Sequence, residues 1–249
     1  MGEERLVLRN ISKTFNIGFK KKKSFLSAII NFIFKKEARK KIKVLDKLSL
    51  KVGSGEIIGI VGDNGSGKST LLRIIAGIYK NYEGEVFSKG KIISLINLIV
   101  GLKDRLTMRD NIFLCCALFG LSKKEIKKKF DNIVEFSELK EFLDTKIYQF
   151  SEGMKQRLAF SIAINCNPDI LLLDEVFEVG DSDFRKRSST RIKEVTEKGG
   201  CVLLVSHDME LVNKYCSKVI WMRGGTIFDE GTPDEIIQKY RDKKIKQQT

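Results

Sequence analysis

The residues best placed to do chemistry are Lys68 and Ser69, which close a glycine-rich stretch. They complete the pattern G-x-x-x-x-G-K-[ST], here Gly62-Asp63-Asn64-Gly65-Ser66-Gly67-Lys68-Ser69-Thr70. In such a loop the glycines let backbone amides point at phosphate oxygens, and the following helix N-terminus adds positive potential. Lys68 is expected to reach the β- and γ-phosphates, and Ser69 to place its hydroxyl on Mg²⁺. We therefore predict a nucleoside triphosphate site in this phosphate loop (residues 62–70), with nucleotide contacts from Gly62, Asn64, Gly65, Ser66, Gly67, Lys68, Ser69 and Thr70.

Two adjacent carboxylates, Asp174 and Glu175, end the apolar run Ile170-Leu171-Leu172-Leu173. Buried parallel strands present ligand-binding groups at their carboxyl ends, which is where these acids lie. Asp174 is expected to bind Mg²⁺ through water, and Glu175 to polarise the water that attacks the γ-phosphate. A strand that ends in a charged turn is common by itself. The phosphate loop in the same chain makes the catalytic interpretation strong.

The single histidine of the chain, His207, follows the apolar run Val202-Leu203-Leu204-Val205-Ser206. A lone histidine is usually structural or merely exposed. This one ends a predicted strand just before a helix start at Asp208, where its imidazole could donate to γ-phosphate oxygens or to Glu175. We predict a catalytic role for His207.

Another candidate anion site is Ser151-Glu152-Gly153, just before a predicted helix over Met154 to Ile164. A hydroxyl, exposed backbone amides and a helix dipole together suit an anion. The same residues also fit ordinary helix capping by Ser151.

The elements that must position these groups alternate between strands and helices. A small antiparallel sheet is predicted from Leu6-Val7-Leu8, residues 48–52, 81–86 and 91–95. Helical spacing runs from Thr107 to about Phe142 and again over 183–198. A hairpin over 219–227 and a short helix from Pro233 complete the predicted elements. Strands alternating with helices around a phosphate loop indicate an α/β fold with a mainly parallel buried sheet, into which the helical block is inserted.

Composition places the chain among folded globular proteins. It has 249 residues, 42% of them hydrophobic, and only two prolines, which fits one large α/β domain. The five cysteines show no C-x-x-C spacing and are expected to be buried, reduced thiols in a cytosolic protein. The N-terminus is acidic and lacks an apolar stretch, so no secretory signal is predicted.

The net charge of +14 is concentrated near the N-terminus. Lysines and arginines over 20–23 and 35–41 flank an apolar stretch, residues 24–34, which is too short to span a bilayer. Basic flanks around an apolar stretch suit a membrane interface or a helix that docks on a membrane-embedded partner. The alternative is a hairpin or helix packed on the domain with solvated lysines. Nucleic acid is not predicted, because aromatic residues are not interleaved with the charges.

The motifs together resemble the nucleotide-binding subunit of an ABC transporter, over roughly residues 3 to 240. Residues 62–70 match the Walker A motif and 170–175 the Walker B motif; Ser151 to Gly153 occupy the signature, and His207 matches the switch histidine. The resemblance implies a P-loop NTPase fold of ABC type, with an antiparallel β subdomain and an inserted helical subdomain at about 104–165. It implies ATP and Mg²⁺ as ligands.

The same resemblance assigns three further residues. Phe15 lies where the family places an aromatic ring that stacks on adenine. Asp181 lies in the loop that crosses the dimer interface. Asn97, in Leu95-Ile96-Asn97-Leu98, replaces the glutamine that the family usually offers to Mg²⁺ and to the membrane partner.

Departures from the general pattern resemble the subfamily that exports polysaccharides, O-antigens and teichoic acids. They are Glu152-Gly153-Met154 in the signature, the run Val176-Phe177-Glu178-Val179-Gly180-Asp181 and a basic insertion at about 17–43. The resemblance implies one ABC domain over 1–249. Some members of the subfamily carry a C-terminal carbohydrate-binding domain, which is not expected here because the sequence leaves no room for one. The resemblance also implies a homodimer, a separate transmembrane permease, and a peripheral location on the cytoplasmic face of the bacterial inner or plasma membrane.

Two other classes remain open at this point. One is the ATPase subunit of an importer or small-molecule exporter, which would share the enzymology but carry another cargo. The other is a soluble ABC ATPase acting on ribosomes or DNA, which the net charge suggests. The second class typically joins two ABC units or carries a long coiled coil, and neither pattern is visible here.

Overall fold

The computed structural model of the chain describes residues 3–17, 40–95, 99, 101–174 and 182–248. Asn97, Glu175 and Asp181 lie outside the described residues, as does most of the basic segment. The strands on either side of this segment pair with each other up to its two ends, where Ile17 lies opposite Lys40.

A three-stranded antiparallel sheet is formed by β1 (Glu4–Ile17), β2 (Lys40–Gly53) and β4 (Glu83–Ser88). Its strand order is β2-β1-β4. Along β1 the side chains of Leu6, Leu8 and Ile11 are buried. The predicted antiparallel sheet is therefore confirmed for these three strands.

The second sheet has six strands in the order β5-β6-β7-β3-β8-β9. Its strands are β3 (Ile57–Val61), β5 (Ile92–Ser94), β6 (Ile170–Leu173), β7 (Cys201–Val205), β8 (Lys218–Arg223) and β9 (Thr226–Gly231). All neighbouring pairs are parallel except β8 and β9, which form the predicted hairpin. Strands β3, β6 and β7 are buried along their whole length, as expected for a sheet covered on both faces.

One strand was predicted in the wrong sheet. Residues 91–95 were assigned to the antiparallel sheet, but Ile92 to Ser94 pair in parallel with Ile170 to Leu172. The apolar run Ile92-Ile93 fits a buried strand of either sheet, and its partner lies almost eighty residues away in sequence.

The helices of the described residues are α1 (Lys68–Ile75), α2 (Met108–Leu118), α3 (Lys123–Ser137), α4 (Glu152–Asn165), α5 (Ser182–Glu197), α6 (Met209–Tyr215) and α7 (Pro233–Gln248). Helices α2 and α3 both begin with capping boxes, Thr107 with Asp110 and Ser122 with Glu125. The final helix was predicted to be short, but it has 16 residues. None of the helices in the described part of the chain combines the length and apolar character needed to cross a membrane.

The six-stranded sheet separates two hydrophobic cores. On β3, Ile57 and Val61 belong to one core, whereas Ile58 and Ile60 belong to the other. The first core contains the helical block, α2 to α4, and the second contains α1 and the antiparallel sheet. Successive side chains of β3 point to opposite faces of the sheet. The strand therefore packs against the core that contains α1 on one face and against the core that contains the helical block on the other.

A shared carboxylate joins three helices of the first core. Glu138, which ends α3 with a left-handed φ of 57°, accepts hydrogen bonds from Arg157 on α4 at 2.6 Å and from Arg187 on α5. The two guanidinium groups also lie over aromatic rings, Arg157 over Phe184 at 5.0 Å and Arg187 over Phe136 at 5.6 Å.

Candidate functional site

The phosphate loop connects β3 to α1, as the sequence predicts. Three of its glycines have a left-handed backbone: Gly62 with φ 148°, Gly65 with φ 80° and Gly67 with φ 104°. A Cβ atom at Gly62 would lie 2.3 Å from the carbonyl oxygen of Met222, whereas one at Gly65 would contact nothing. Glycine is therefore required at both positions by conformation, and at Gly62 also by a close backbone approach.

The loop is equipped to hold phosphate. Lys68 is 6% exposed, and its Nζ atom donates to the carbonyl oxygens of Gly62 at 2.7 Å and Asp63 at 3.0 Å. Helix α1 has Gly67 as its N-cap, no capping side chain and no acidic residue in its first turn. The Oγ atom of Ser66 is buried and has no hydrogen-bond partner among the described residues. These groups suit a nucleotide phosphate, because hydrogen-bond donors and the positive potential of the helix N-terminus converge at the loop.

The two strand ends predicted to carry chemistry lie beside this loop. In the sheet order β6-β7-β3 the parallel strands end at the same edge, so Asp174, His207 and the phosphate loop follow three consecutive strands. Asp174 is half-buried directly after β6. The fold thus brings these groups to one edge, the usual ligand-binding edge of a parallel sheet.

The predicted Mg²⁺ ligands are Ser69, Asp174 and Asn97. The structure describes Ser69 and Asp174, whereas Asn97 lies outside the described residues. Ser69 and Thr70 are half-buried in the first turn of α1. Within the described ranges, no group of three or more His, Cys, Asp or Glu side chains could hold a metal ion by itself. A hydroxyl and one carboxylate instead fit the usual Mg²⁺ site, in which nucleotide phosphates and water complete the coordination.

His207 is exposed in the turn between β7 and α6. The turn is fixed on both sides, because the Asp208 amide donates to Ser206 Oγ at 2.9 Å and the Asp208 side chain caps α6. The turn therefore holds an exposed imidazole at the edge of the sheet where the phosphate loop lies.

Phe15 lies on β1 opposite Ile42, and its ring meets that of Tyr79 edge to face at 5.5 Å. The Lys13 Nζ atom lies over both rings, 4.9 Å from the centre of Phe15 and 5.3 Å from that of Tyr79. Our sequence reasoning did not single out Lys13 or Tyr79. The position of Lys13 two residues before Phe15 was the available signal, since alternate residues of a strand share a face.

Ser151 is the N-cap of α4, and its Oγ atom accepts from the Met154 amide at 3.2 Å. The described hydrogen bonds of Ser151 remain within this helix. Gly153 lies in the first turn, half-buried. Ser151 therefore caps α4, as the alternative interpretation of this segment predicts. The cap uses the Met154 amide, and the other amides of the first turn remain available to an anion.

A contact that the sequence did not indicate joins the loop to the last helix. The hydroxyl of Tyr240 on α7 donates to the Oδ1 atom of Asp63 at 3.1 Å, and the Tyr240 ring packs against Trp221. Burial and the Asp63 carboxylate raise the pKa of Tyr240 to about 12.

The cysteines take no part in this site. All five are buried and free of disulfides, as predicted. Burial raises the pKa of the Cys201 and Cys216 thiols to about 12, so they remain protonated at neutral pH.

Comparison with protein families matches residues 45–178 to the family described as ABC transporter. The match includes the phosphate loop, the Ser151 to Gly153 segment and the strand that precedes Asp174.

Curated relatives agree with this match. The O-antigen export system ATP-binding protein RfbB of Klebsiella pneumoniae is 39% identical over 202 residues, which cover 81% of this chain and 82% of the relative. The teichoic acids export ATP-binding protein TagH of Lactococcus lactis subsp. lactis (strain IL1403) is 41% identical over 196 residues. That match covers 79% of this chain but only 42% of the length of the relative.

Among solved structures, a dimeric ATP-binding cassette in a post-hydrolysis state with ADP and Pi superposes with a TM-score of 0.74 at 26% identity. The superposition covers 92% of this chain and 98% of that structure, which confirms the predicted fold. With a family match over more than half of its length, the chain belongs to the ABC transporter family.

Proposed function

We propose that the chain is the ATP-hydrolysing subunit of an exporter for a cell-surface polysaccharide, such as an O-antigen or teichoic acid polymer. The main support for a polysaccharide as the exported substrate is the 39% identity to the O-antigen export protein over most of both chains. The signature and the run after Glu175, which the sequence alone linked to this subfamily, support the same assignment.

In the proposed mechanism, loop amides and Lys68 bind the ATP phosphates, and Phe15 stacks on the adenine. Ser69 and Asp174, with Asn97, would hold Mg²⁺, which neutralises phosphate charge when bound. Glu175 polarises the attacking water, and His207 donates to the γ-phosphate oxygens.

Two copies of the chain form the proposed working unit. Ser151 and Gly153 of one copy approach ATP bound on the phosphate loop of the other, and Asp181 lies at the interface between them. The first-turn amides of α4 then contact the γ-phosphate only in the closed dimer, so ATP favours closure. Hydrolysis removes that contact and lets the dimer reopen.

A separate membrane permease converts closure into movement of its own helices. The basic segment over residues 20–41 contacts that permease or anionic lipid head groups, which places the chain on the cytoplasmic face of the membrane. The concentration of positive charge around an apolar stretch supports this location.

The test is a capture from detergent-solubilised membranes of the host cell, with tagged E175Q protein trapped by Mg-ATP. The expected partner is a multi-spanning membrane protein encoded beside glycosyltransferase genes. A K68A protein, which should not trap ATP, serves as the matched control and is expected to capture less of it. A partner encoded beside a solute-binding protein would instead indicate an importer, and ribosomal proteins alone would overturn the transporter assignment.

A further inference from the structure

Lys13 is a buried cation beside the nucleotide site. The residue is 7% exposed, and its Nζ atom donates to the backbone carbonyl of Asn81. The same Nζ atom lies over the rings of Phe15 and Tyr79, 4.9 and 5.3 Å from their centres. Among the described residues, no carboxylate forms a salt bridge with this ammonium.

Such a residue is costly to keep. Removing an ammonium from water without a paired acid disfavours folding, and one carbonyl with two ring faces compensates only in part. An apolar side chain of similar length would fill the same space without this cost. The positive charge of Lys13 therefore has a candidate role in its contacts with the two rings.

The location of Lys13 gives that role. In the antiparallel sheet Lys13 pairs with Leu45, and the Leu45 Cδ2 atom lies 2.7 Å from where a Cβ on Gly67 would stand. Lys13 is thus one strand away from the phosphate loop.

Tyr79 lies in the loop that follows α1. Its amide donates to the carbonyl of Arg73, which follows Lys68 by five residues, or about 7.5 Å along the helix axis. The Lys13, Phe15 and Tyr79 group therefore stands beside the helix whose N-terminus faces the phosphates.

We propose that Lys13 is a positioning residue of the nucleotide site. Its ammonium, held by the Asn81 carbonyl, covers one face of the Phe15 ring, and the Tyr79 ring packs against Phe15 in a T-shaped pair. The ring is fixed so that its opposite face is presented to the purine base of ATP. The inference rests on the proposed nucleotide binding and assigns the base-contacting part of that site two residues that sequence reasoning missed.

The test compares ATP with tripolyphosphate, which has the phosphates but no base. K13M keeps the length of the side chain and removes its charge, and K51M is the matched control on the exposed side of the same sheet. We expect K13M to weaken Mg-ATP binding by about five- to tenfold in calorimetry. We expect its inhibition constant for tripolyphosphate, measured by competition with ATP, to stay unchanged.

A double-mutant cycle separates positioning from a general change of the loop. If Lys13 acts through Phe15, K13M has little further effect on ATP affinity in an F15A background. K13R, which keeps the charge, is expected to restore part of the affinity. Equal losses for ATP and tripolyphosphate, or full additivity with F15A, would overturn the proposal.

Separate control measurements test whether the variants fold and whether the wild-type protein binds ATP. Thermal unfolding of each variant reports whether K13M folds; if it does not, Y79L removes the ring contact without touching the charge and carries the same prediction. If wild-type protein binds no Mg-ATP, the proposed nucleotide site fails. If wild type and K51M bind while K13M and Y79L bind equally well, only the role of Lys13 fails.

Discussion

The hydroxyl of Tyr240 donates a hydrogen bond to Asp63 at 3.1 Å and thereby ties the last helix of the chain to its phosphate loop. The two residues are 177 positions apart in sequence, and Tyr240 is only 3% exposed. The phosphate loop is thus hydrogen-bonded to a helix that lies far from it in sequence.

Removal of this bond should destabilise the protein in a pH-dependent way. At neutral pH Y240F is expected to lose about 1–2 kcal/mol of unfolding free energy, because a partly buried hydrogen bond to a carboxylate disappears. The folded-state pKa of Tyr240 is about 12, above the ordinary value of 10. The protonated tyrosine therefore stabilises the wild type fully below about pH 10, and this contribution is lost as the pH rises towards about 12.

The measurement is urea unfolding of wild type and Y240F from about pH 8 to about pH 11. The difference between the two proteins should shrink as the pH rises. A difference that stays constant over this range would contradict the raised pKa.

Two glycines of the phosphate loop should respond differently to alanine. At Gly65 a Cβ meets open space, so G65A is expected to cost only the strain of a left-handed backbone, about 1–2 kcal/mol. At Gly62 the Cβ would also collide with the Met222 carbonyl, so G62A should cost several kcal/mol or fail to fold. Thermal unfolding of both variants checks this order, and equal losses would show that the collision is relieved without cost.

Lys68 should be required for nucleotide binding and not for folding. K68A removes the ammonium that lies against the loop carbonyls, and we expect Mg-ATP affinity to fall by at least about tenfold. The melting temperature without nucleotide should change little in comparison. A normal ATP isotherm for the folded variant would contradict the phosphate-binding role.

Ser151 offers a way to separate helix capping from ATP-dependent closure. S151A should lose about 1 kcal/mol of stability, because the Met154 amide loses its acceptor. S151D restores an N-cap acceptor but places a negative charge where the partner's γ-phosphate is proposed to bind. It should therefore match wild type in unfolding free energy and yet show neither ATP-dependent dimerisation nor turnover.

Light scattering of the Glu175→Gln protein with ATP, with and without S151D, measures that dimerisation. Dimers that persist with S151D would mean that this helix end does not face the nucleotide.

Local sequence patterns predicted the phosphate loop and the two strand ends that precede Asp174 and His207. The phosphate loop is a strand, a glycine-rich turn and a helix in one continuous stretch, so residues 57–75 indicated its geometry. Asp174 and His207 were recognised because each ends a strongly apolar strand. Parallel pairing then places those strand ends together at one edge of the sheet.

Contacts between distant segments were not predictable in the same way. The residues 92–94 pair with a strand far along the chain, and nothing in their own composition distinguishes a parallel partner from an antiparallel one. Tyr240 belongs to no motif, and its contact with Asp63 spans 177 residues of sequence. The length of α7 was underestimated because its many charged residues hid the apolar positions Ile236, Ile237 and Tyr240.

The carboxylate of Glu138 has a consequence for motion. Since it binds Arg157 on α4 and Arg187 on α5 at once, a relative shift of these helices beyond a hydrogen-bond length breaks one of the two ion pairs. A movement of α4 relative to α5 therefore has to break one of these partly exposed ion pairs. Because such pairs are individually weak, this junction is expected to open and re-form at small cost when the two helices shift.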